Sequence, residues 1–367
     1  MSPSRKTPLH ETHQQLGATF TEFAGWEMPL RYSGDINEHN AVRGTAGLFD
    51  LTHMGELRIS GAQAAEALDY ALVANASAIT VGRARYTMIC DEAGGVLDDL
   101  IVYRTGEREF LVVANAANAA VVSAELADRV RGFDTECTDL SDEYALIAVQ
   151  GPVAKDILAP LTEIDLTTVK YFAGYPGRVA NCDVLLARTG YTGEDGFELF
   201  TSVNDAATVW QALSEAGAPH GIEPAGLACR DTLRLEAGMP LHGHELSTEV
   251  TPFDANLGRV VRLDKSGDFV GRAALADAAE RTAERTLVGL RGTGRRAPRH
   301  GYRVLDGAGT DIGVVTSGAP SPTLGYPIAM AYVDHACAKT GTELQVDIRG
   351  KAVAVEVVDP PFYSRNR

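Results

Sequence analysis

From Thr286 onward the chain becomes a series of short apolar–polar alternations cut by glycine-rich turns: TLVGLRG, YRVLDGAGTDIGVVTSG and LQVDIRGKAVAVEVV. Successive strand side chains point to opposite faces, so such runs bury one face and solvate the other, while the glycines supply the reversals. A small antiparallel β domain, barrel or sandwich, is therefore expected, led in by an Ala/Glu/Arg-rich helix over 273–285. With 367 residues in all, and one domain per roughly 100–200 residues, two or three domains are expected.

Upstream, the pattern switches between period 2 and period 3.6. Residues 55–60 alternate as a strand, then Ala65, Leu68, Ala71 and Leu72 share a helical face, with Ser60 placed to cap it. Strands are predicted over 85–90, 96–103 and 109–114, and Val121, Val122, Leu126 and Val130 mark a helix. This is a β-α-β-β-β-α block. A second block covers residues 143–250. It has a buried strand at 144–149, a helix at 151–161 opened by Pro152, and strands at 179–188 and 196–201. A helix over 205–216, capped by Asn204 and ended by Gly217, and a last helix over 230–237 complete it.

Composition excludes several function classes. The formal net charge is -16, which opposes general binding to nucleic acid or anionic membranes, since both need clustered Lys and Arg. The five cysteines are scattered without a CxxC pair. They fit small buried residues in a reduced cytoplasm better than a disulfide framework or a zinc site. The start, MSPSRKTPLHETH, lacks a signal-peptide core, and no run of about 18 apolar residues occurs to span a membrane.

Three acidic segments carry the chemistry. In GGVLDDL (94–100) alternation puts Val96, Asp98 and Leu100 on one face and Leu97, Asp99 and Ile101 on the other. Asp99 then lies between large aliphatic side chains, where a carboxylate is costly unless paired, and is a candidate acid–base or orienting group. The plain alternative is one turn-facing Asp beside one that caps a backbone group. In TGYTGEDGFEL (189–199) Glu194 and Asp195 read as solvated turn residues. Glu198 sits where strand character resumes, either as a surface strand residue or as a carboxylate taking two parallel N–H groups from a guanidine-like ring edge. Tyr191 either stacks on such a ring or supports the turn. In ACRDTLRLEAG (228–238) Arg230 and Arg234 share a helix face, and Asp231 and Glu236 can pair with them. Leu227, Leu233 and Leu235 bury that helix, so an arginine on it needs an acidic or ligand partner. His242 and His244 have no third ligand and read as solvent-facing rather than metal-binding. GRRAPRHGYR (294–303) is the one basic patch, a solvated turn or a landing site for an acidic partner. Trp26 reads as core or domain contact.

FAGWEMPL, AVRGTAGLFDLTHMGE, GGVLDDLIVY, RTGYTGEDGFEL, ACRDTLRLEAGMPLHG, VTSGAPSPTLG and the terminal PPFYSR follow the order seen in aminomethyltransferases, the T-proteins of the glycine cleavage system. The chain resembles that family over residues 7–365. The resemblance implies an α+β fold in a three-domain, cloverleaf-like arrangement. It places a first folate-binding domain at 1–50 with 140–270, a second at 51–139, and a C-terminal β-barrel domain with its connecting helix at 271–367. It implies an enzyme with tetrahydrofolate as co-substrate, no metal, and the lipoylated H-protein as partner. Matched residue by residue, Asp99 is the catalytic carboxylate, and Glu198, Arg230, Tyr86, Tyr191, Met54 and Asn115 line the folate site. Arg365 meets the anionic glutamate tail, and Asp98 is a strand-end cap. Folate-dependent demethylases and the folate half of sarcosine or dimethylglycine oxidases carry similar segments, but no dinucleotide glycine fingerprint opens this chain. Non-catalytic folate-binding relatives carry a reactive-cysteine KGCYxGQE motif, where this chain reads RTGYTGEDGFE.

Overall fold

The alternating segments form two open sheets, a two-stranded hairpin and a closed barrel in the computed structural model, which describes residues 4–365. The chain divides into two units, Met1–Thr87 with Asp99–Arg230 and Met88–Asp98 with Asp231–Arg367.

In the first unit a six-stranded sheet runs in the order Gly174–Val179, Cys182–Ala187, Gly196–Ser202, Tyr144–Gln150, Ala46–Asp50, Ile222–Pro224. Neighbours are antiparallel except for the last pair. Ala145, Ile147 and Val149, with Phe197 and Leu199 beside them, face the apolar core. Helices Ala154–Leu158 and Ala206–Gly217 pack over that face, the second bringing Trp210 and Leu213. At about 1.5–3 kcal/mol for each large side chain removed from water, this layer fixes which face of each strand points outward. The opposite face carries Tyr144, Gln150, Glu198 and Phe200.

The five-stranded sheet runs Ala84–Cys90, Val96–Gly106, Glu109–Ala114, Gly55–Ser60, Glu136–Asp139. Helix Ala119–Arg129 packs on Gly55–Ser60, with Ala119 against the bare Gly55. On the far face Tyr103 meets Phe200 of the six-stranded sheet edge to face, ring centres 5.6 Å apart. The faces that meet therefore carry Asp99, Ile101 and Tyr103 on one side and Glu198 and Phe200 on the other.

The N-terminal helices His10–Gln15 and Asp35–Gly44 and the hairpin Thr19–Phe23/Trp26–Arg31 were not legible as periodic segments. Ala24 and Gly25, both at positive φ, make the tight turn between the two strands. Trp26 is buried, as expected, with the Arg5 guanidinium 4.0 Å above its ring. No helix among the described residues is long and apolar enough to cross a membrane.

In the second unit the C-terminal alternations close into a barrel, ordered Arg285–Gly292, Pro327–Asp334, Asp311–Pro320, Arg303–Leu305, Glu343–Asp347, Ala352–Val358. Leu290, Val304, Val315, Val333, Val346 and Val357 belong to its interior. Arg234, almost wholly buried, donates to Glu245 at 2.9 Å, to Asp231 at 2.9 Å and to Ser317 at 2.7 Å. The Glu236 carboxylate accepts from the hydroxyls of Ser321 and Thr323 and from the Thr323 N–H.

Several local expectations need correction. The predicted strand 179–188 is half of a hairpin, Gly174–Val179 with Cys182–Ala187, whose turn puts Ala180 and Asn181 at positive φ without a glycine to announce it. The lead-in helix is Arg272–Glu280 and stops there because Arg281 is extended and held by Asp254 at 3.1 Å. Neither Ser60 nor Asn204 caps a helix: Gln63 and Asp205 hold those positions, without a side-chain cap bond. The helix after Pro152 begins only at Ala154, and the last helix of the second block is Leu227–Glu236. His242 is half-buried and bonds the Val96 carbonyl at 3.0 Å, whereas His244 is exposed, as expected, and bonds the Thr316 carbonyl at 2.9 Å.

Replacing Arg234 with Ala strands the buried Glu245 carboxylate, a change that costs about 3–5 kcal/mol. Urea unfolding of Arg234→Ala is expected to show that loss; a midpoint equal to wild type refutes the assignment.

Candidate active site

Glu198 lies on the strand Gly196–Ser202, on the face that meets the five-stranded sheet, and is largely buried. Its carboxylate accepts from the Thr189 hydroxyl and from Tyr103 OH at 3.4 Å. Burial raises its pKa above the ordinary 4.5, against the opposing pull of Thr189, Arg230 and Tyr103. The expected ring-edge acceptor is thus a strand carboxylate withdrawn from water and not a surface residue.

The glycines around it have a packing reason. Gln150 donates its amide to the Thr189 carbonyl at 3.0 Å and accepts from the Thr192 hydroxyl at 2.9 Å. A Cβ at Gly190 or Gly196 would overlap the Gln150 amide. Glu194 and Asp195, expected to be solvated, are instead ion-paired. Arg43 donates to Glu194 at 2.9 Å and to the Thr192 carbonyl at 2.8 Å, and Arg188 donates to Asp195 at 2.9 Å. These pairs pin the loop that carries Tyr191.

Asp99 is partly exposed on its strand and is bracketed by donors. Tyr86 OH donates to it at 3.0 Å, and the Asn115 amide donates at 2.9 Å to its carboxylate and at 3.0 Å to its carbonyl. Three of the expected residues therefore form one cluster. Tyr103, four residues along the same strand and on the same face, links that strand to Glu198.

Arg230 sits on helix Leu227–Glu236, with its guanidinium 4.8 Å from the centre of the Tyr191 ring. Burial lowers its pKa, opposed by the Glu198 and Tyr191 charges. The start of that helix is held by Glu38, which accepts from the N–H of Gly226 at 2.9 Å, of Tyr32 at 2.6 Å and of Gly34 at 3.0 Å. Arg230 is thus positioned by a residue far away in the chain. Met54 lies in the loop before Gly55–Ser60, its N–H bonded to Leu51 O at 3.0 Å. The neighbouring His53 is buried, and its pKa falls to about 4 through burial and then the Arg230 charge, against the pull of Asp50. Sequence reasoning did not single out Tyr103, Thr189, Gln150, Glu38 or His53. Only Tyr103 had a usable signal, the period-2 spacing from Asp99. Arg365 belongs to the second unit, two residues after Tyr363, whose N–H bonds Glu236 O at 2.8 Å.

Carboxylates on two facing sheet faces, with a guanidinium and tyrosines beside them, thus gather in the first unit. Comparison with known proteins narrows this. Residues 9–265 match the GCVT N-terminal domain and 285–364 the glycine cleavage T-protein C-terminal barrel domain. An aminomethyltransferase of Saccharopolyspora erythraea is 76% identical over the full length of both chains. One from Streptomyces coelicolor is 62% identical over 99% of this chain and 98% of the relative. The crystal structure of the glycine cleavage system aminomethyltransferase T from Bartonella henselae superposes with a TM-score of 0.92 at 39% identity, covering 98% of each chain. The chain belongs to the glycine cleavage T-protein family.

Because the folded-state pKa of Glu198 is raised, its contribution to stability is complete below about pH 4.5 and is lost as pH rises through the folded value. Glu198→Gln is therefore expected to melt progressively higher than wild type as pH climbs from about 4.5 to 8. A melting-temperature gap that stays constant over that range contradicts it.

Proposed function

We propose that this chain is a tetrahydrofolate-dependent aminomethyltransferase of the glycine cleavage system. It takes a one-carbon unit from the aminomethyl-dihydrolipoyl arm of H-protein, releases ammonia and yields methylenetetrahydrofolate. The observation that carries the reading is the withdrawn Glu198 carboxylate beside Arg230, on a sheet face that meets the face of Asp99. A buried carboxylate with a raised pKa is an unfavourable feature of the free protein, and a ring edge presenting two parallel N–H groups relieves it. The family's folate fits that donor set.

Folate supplies the nitrogen that accepts the carbon, and the protein supplies orientation. Glu198 fixes the ring edge, Arg230 and Tyr191 flank it, and Met54 lines the site. Tyr86 and Asn115 both donate to Asp99, which holds its carboxylate in one orientation as an acceptor. From there it orients the reduced ring and favours the nucleophilic state of the reacting nitrogen. Positioning of this kind is worth effective molarities of roughly 10⁵ M or more. In the same reading Arg365 meets the glutamate tail. The folate-binding part comprises 1–50 with 140–270 and 51–139, and 271–367 is the barrel domain. The free cysteines fit a reducing cytoplasm.

The direct test is ammonia release from aminomethylated H-protein on addition of tetrahydrofolate; its absence with active H-protein refutes the reading. In that assay Asp99→Asn is expected to lower turnover by roughly 10²-fold or more while folate affinity stays within about tenfold. Wild-type turnover in the variant removes Asp99 from its role. Glu198→Ala is expected to weaken folate by about 2 kcal/mol in equilibrium titration, since a donor pair is left unmet.

A further inference from the structure

We propose that Thr189, backed by Tyr103, is a positioning residue whose hydroxyl fixes one oxygen of Glu198, so that the carboxylate meets the two N–H groups of a pterin edge in its ionised form. The inference rests on the folate reading and deepens it by giving a role to two hydroxyls behind the carboxylate.

Both hydrogen bonds to the Glu198 carboxylate end on the same oxygen. Thr189 Oγ1 donates to Oε2, and Tyr103 OH stands 3.4 Å from that atom. Among the described residues nothing donates to Oε1. Thr189 has a single hydroxyl proton, and an ionised carboxylate only accepts, so that proton belongs to Oε2. Tyr103 OH, 2.8 Å from Thr189 Oγ1, is therefore the donor between the two hydroxyls, and it reaches Oε2 only as the long arm of a shared bond. Donation runs from Tyr103 to Thr189 to Glu198, and each bond polarises the next. The row is anchored at both ends. The Tyr103 ring packs against Phe200, centres 5.6 Å apart, and lies so close to Gly174 that a Cβ there would stand 3.2 Å from it. The Thr189 carbonyl is held by the Gln150 amide at 3.0 Å.

On its own sheet Glu198 is flanked by small apolar residues: its partners across the neighbouring strands are Ala187 and Ala148, both buried. The titratable groups that act on it are Arg230, from helix Leu227–Glu236, and Tyr103, from the facing sheet. Burial raises the pKa of Glu198, and Thr189 leads the contributions that oppose it, ahead of Arg230 and Tyr103. A neutral carboxyl presents an O–H where the ligand presents an N–H, so two donors meet and an acceptor is lost. Thr189 therefore does two things from behind the site. It sets the rotation of the carboxylate, and it keeps that group in its acceptor-only form down to lower pH. Its hydroxyl carries no charge, so removing it leaves the net charge of the site unchanged.

The test has two arms, both on the full chain. In the first, the Glu198 carboxyl carbon is titrated by NMR in the unliganded protein. Thr189→Val keeps the shape and drops the hydroxyl, and is expected to raise the Glu198 pKa by about one unit or more, the worth of one hydrogen bond to a charged group. Thr189→Ser keeps the hydroxyl and is expected to restore the wild-type value. Tyr103→Phe probes the same row one bond further back and is expected to raise the pKa by a smaller amount; it decides the case if Thr189→Val does not fold. In the second arm, tetrahydrofolate affinity is measured by equilibrium titration between about pH 5 and 8. Affinity is expected to fall as pH drops through the Glu198 pKa, with that limb about one unit higher in Thr189→Val than in wild type. A Glu198 pKa unmoved by the loss of the hydroxyl makes Thr189 a structural contact only and overturns this inference alone. A pKa that moves while the affinity limb stays at its wild-type place overturns it together with the folate reading of Glu198, as does failure of wild type to bind tetrahydrofolate.

Discussion

Withdrawing a carboxylate from water beside a guanidinium is the constraint around which the first unit is arranged. Glu198 and Arg230 each lose solvation, and their mutual attraction offsets only part of that loss. What holds the arrangement is the structure beneath it. Thr189 and Tyr103 bond the carboxylate, Gln150 fills the space left by two glycines, and Glu38 fixes the start of the arginine's helix. Each support comes from a different element, so the site depends on the sheets being paired in one register. Asp99 is partly exposed, and Tyr86 and Asn115 both donate to its carboxylate.

Periodicity revealed the strands whose two faces differ. In Val96–Gly106 burial alternates, and the predicted faces for Asp98 and Asp99 are those found. Ala46–Asp50 is buried at every residue and so shows no period. The hairpin at Ala180 and Asn181 escaped notice because its turn lacks the glycine that usually signals positive φ. Placing the site's carboxylates on strands was possible from sequence; knowing which of them are paired was not. Arg43, which neutralises Glu194, is 151 residues away in the chain. Arg230 and Arg234 read as equivalents one helical turn apart. Their surroundings differ entirely, the one set against Tyr191 and the other bound to Glu245 and Ser317.

Histidine gave the weakest signal in the sequence and a more specific one in the structure. His242 and His244, which attract attention by spacing, are tied to backbone carbonyls. His53, inside the segment AVRGTAGLFDLTHMGE, is buried with an unpaired Nδ1, and burial followed by the Arg230 charge lowers its pKa to about 4. Ionisable residues with a function are marked by an environment that shifts them, which linear spacing does not record.

The paired aspartates have an evolutionary corollary. Asp98 is fully buried and Asp99 is not, though a single peptide bond separates them. Just upstream, Gly95 abuts the Thr248 carbonyl, and the Val96 N–H is shared between Ser247 O at 3.0 Å and Val250 O at 3.1 Å. Those contacts lock the reading frame of the strand. A one-codon insertion or deletion between Val96 and Asp98 would swap the faces of the two carboxylates, burying Asp99 and exporting its neighbour. Length variation among descendants of this gene should accordingly accumulate beyond Tyr103, where an irregular pairing between Arg104 and Gly106 already absorbs an extra residue.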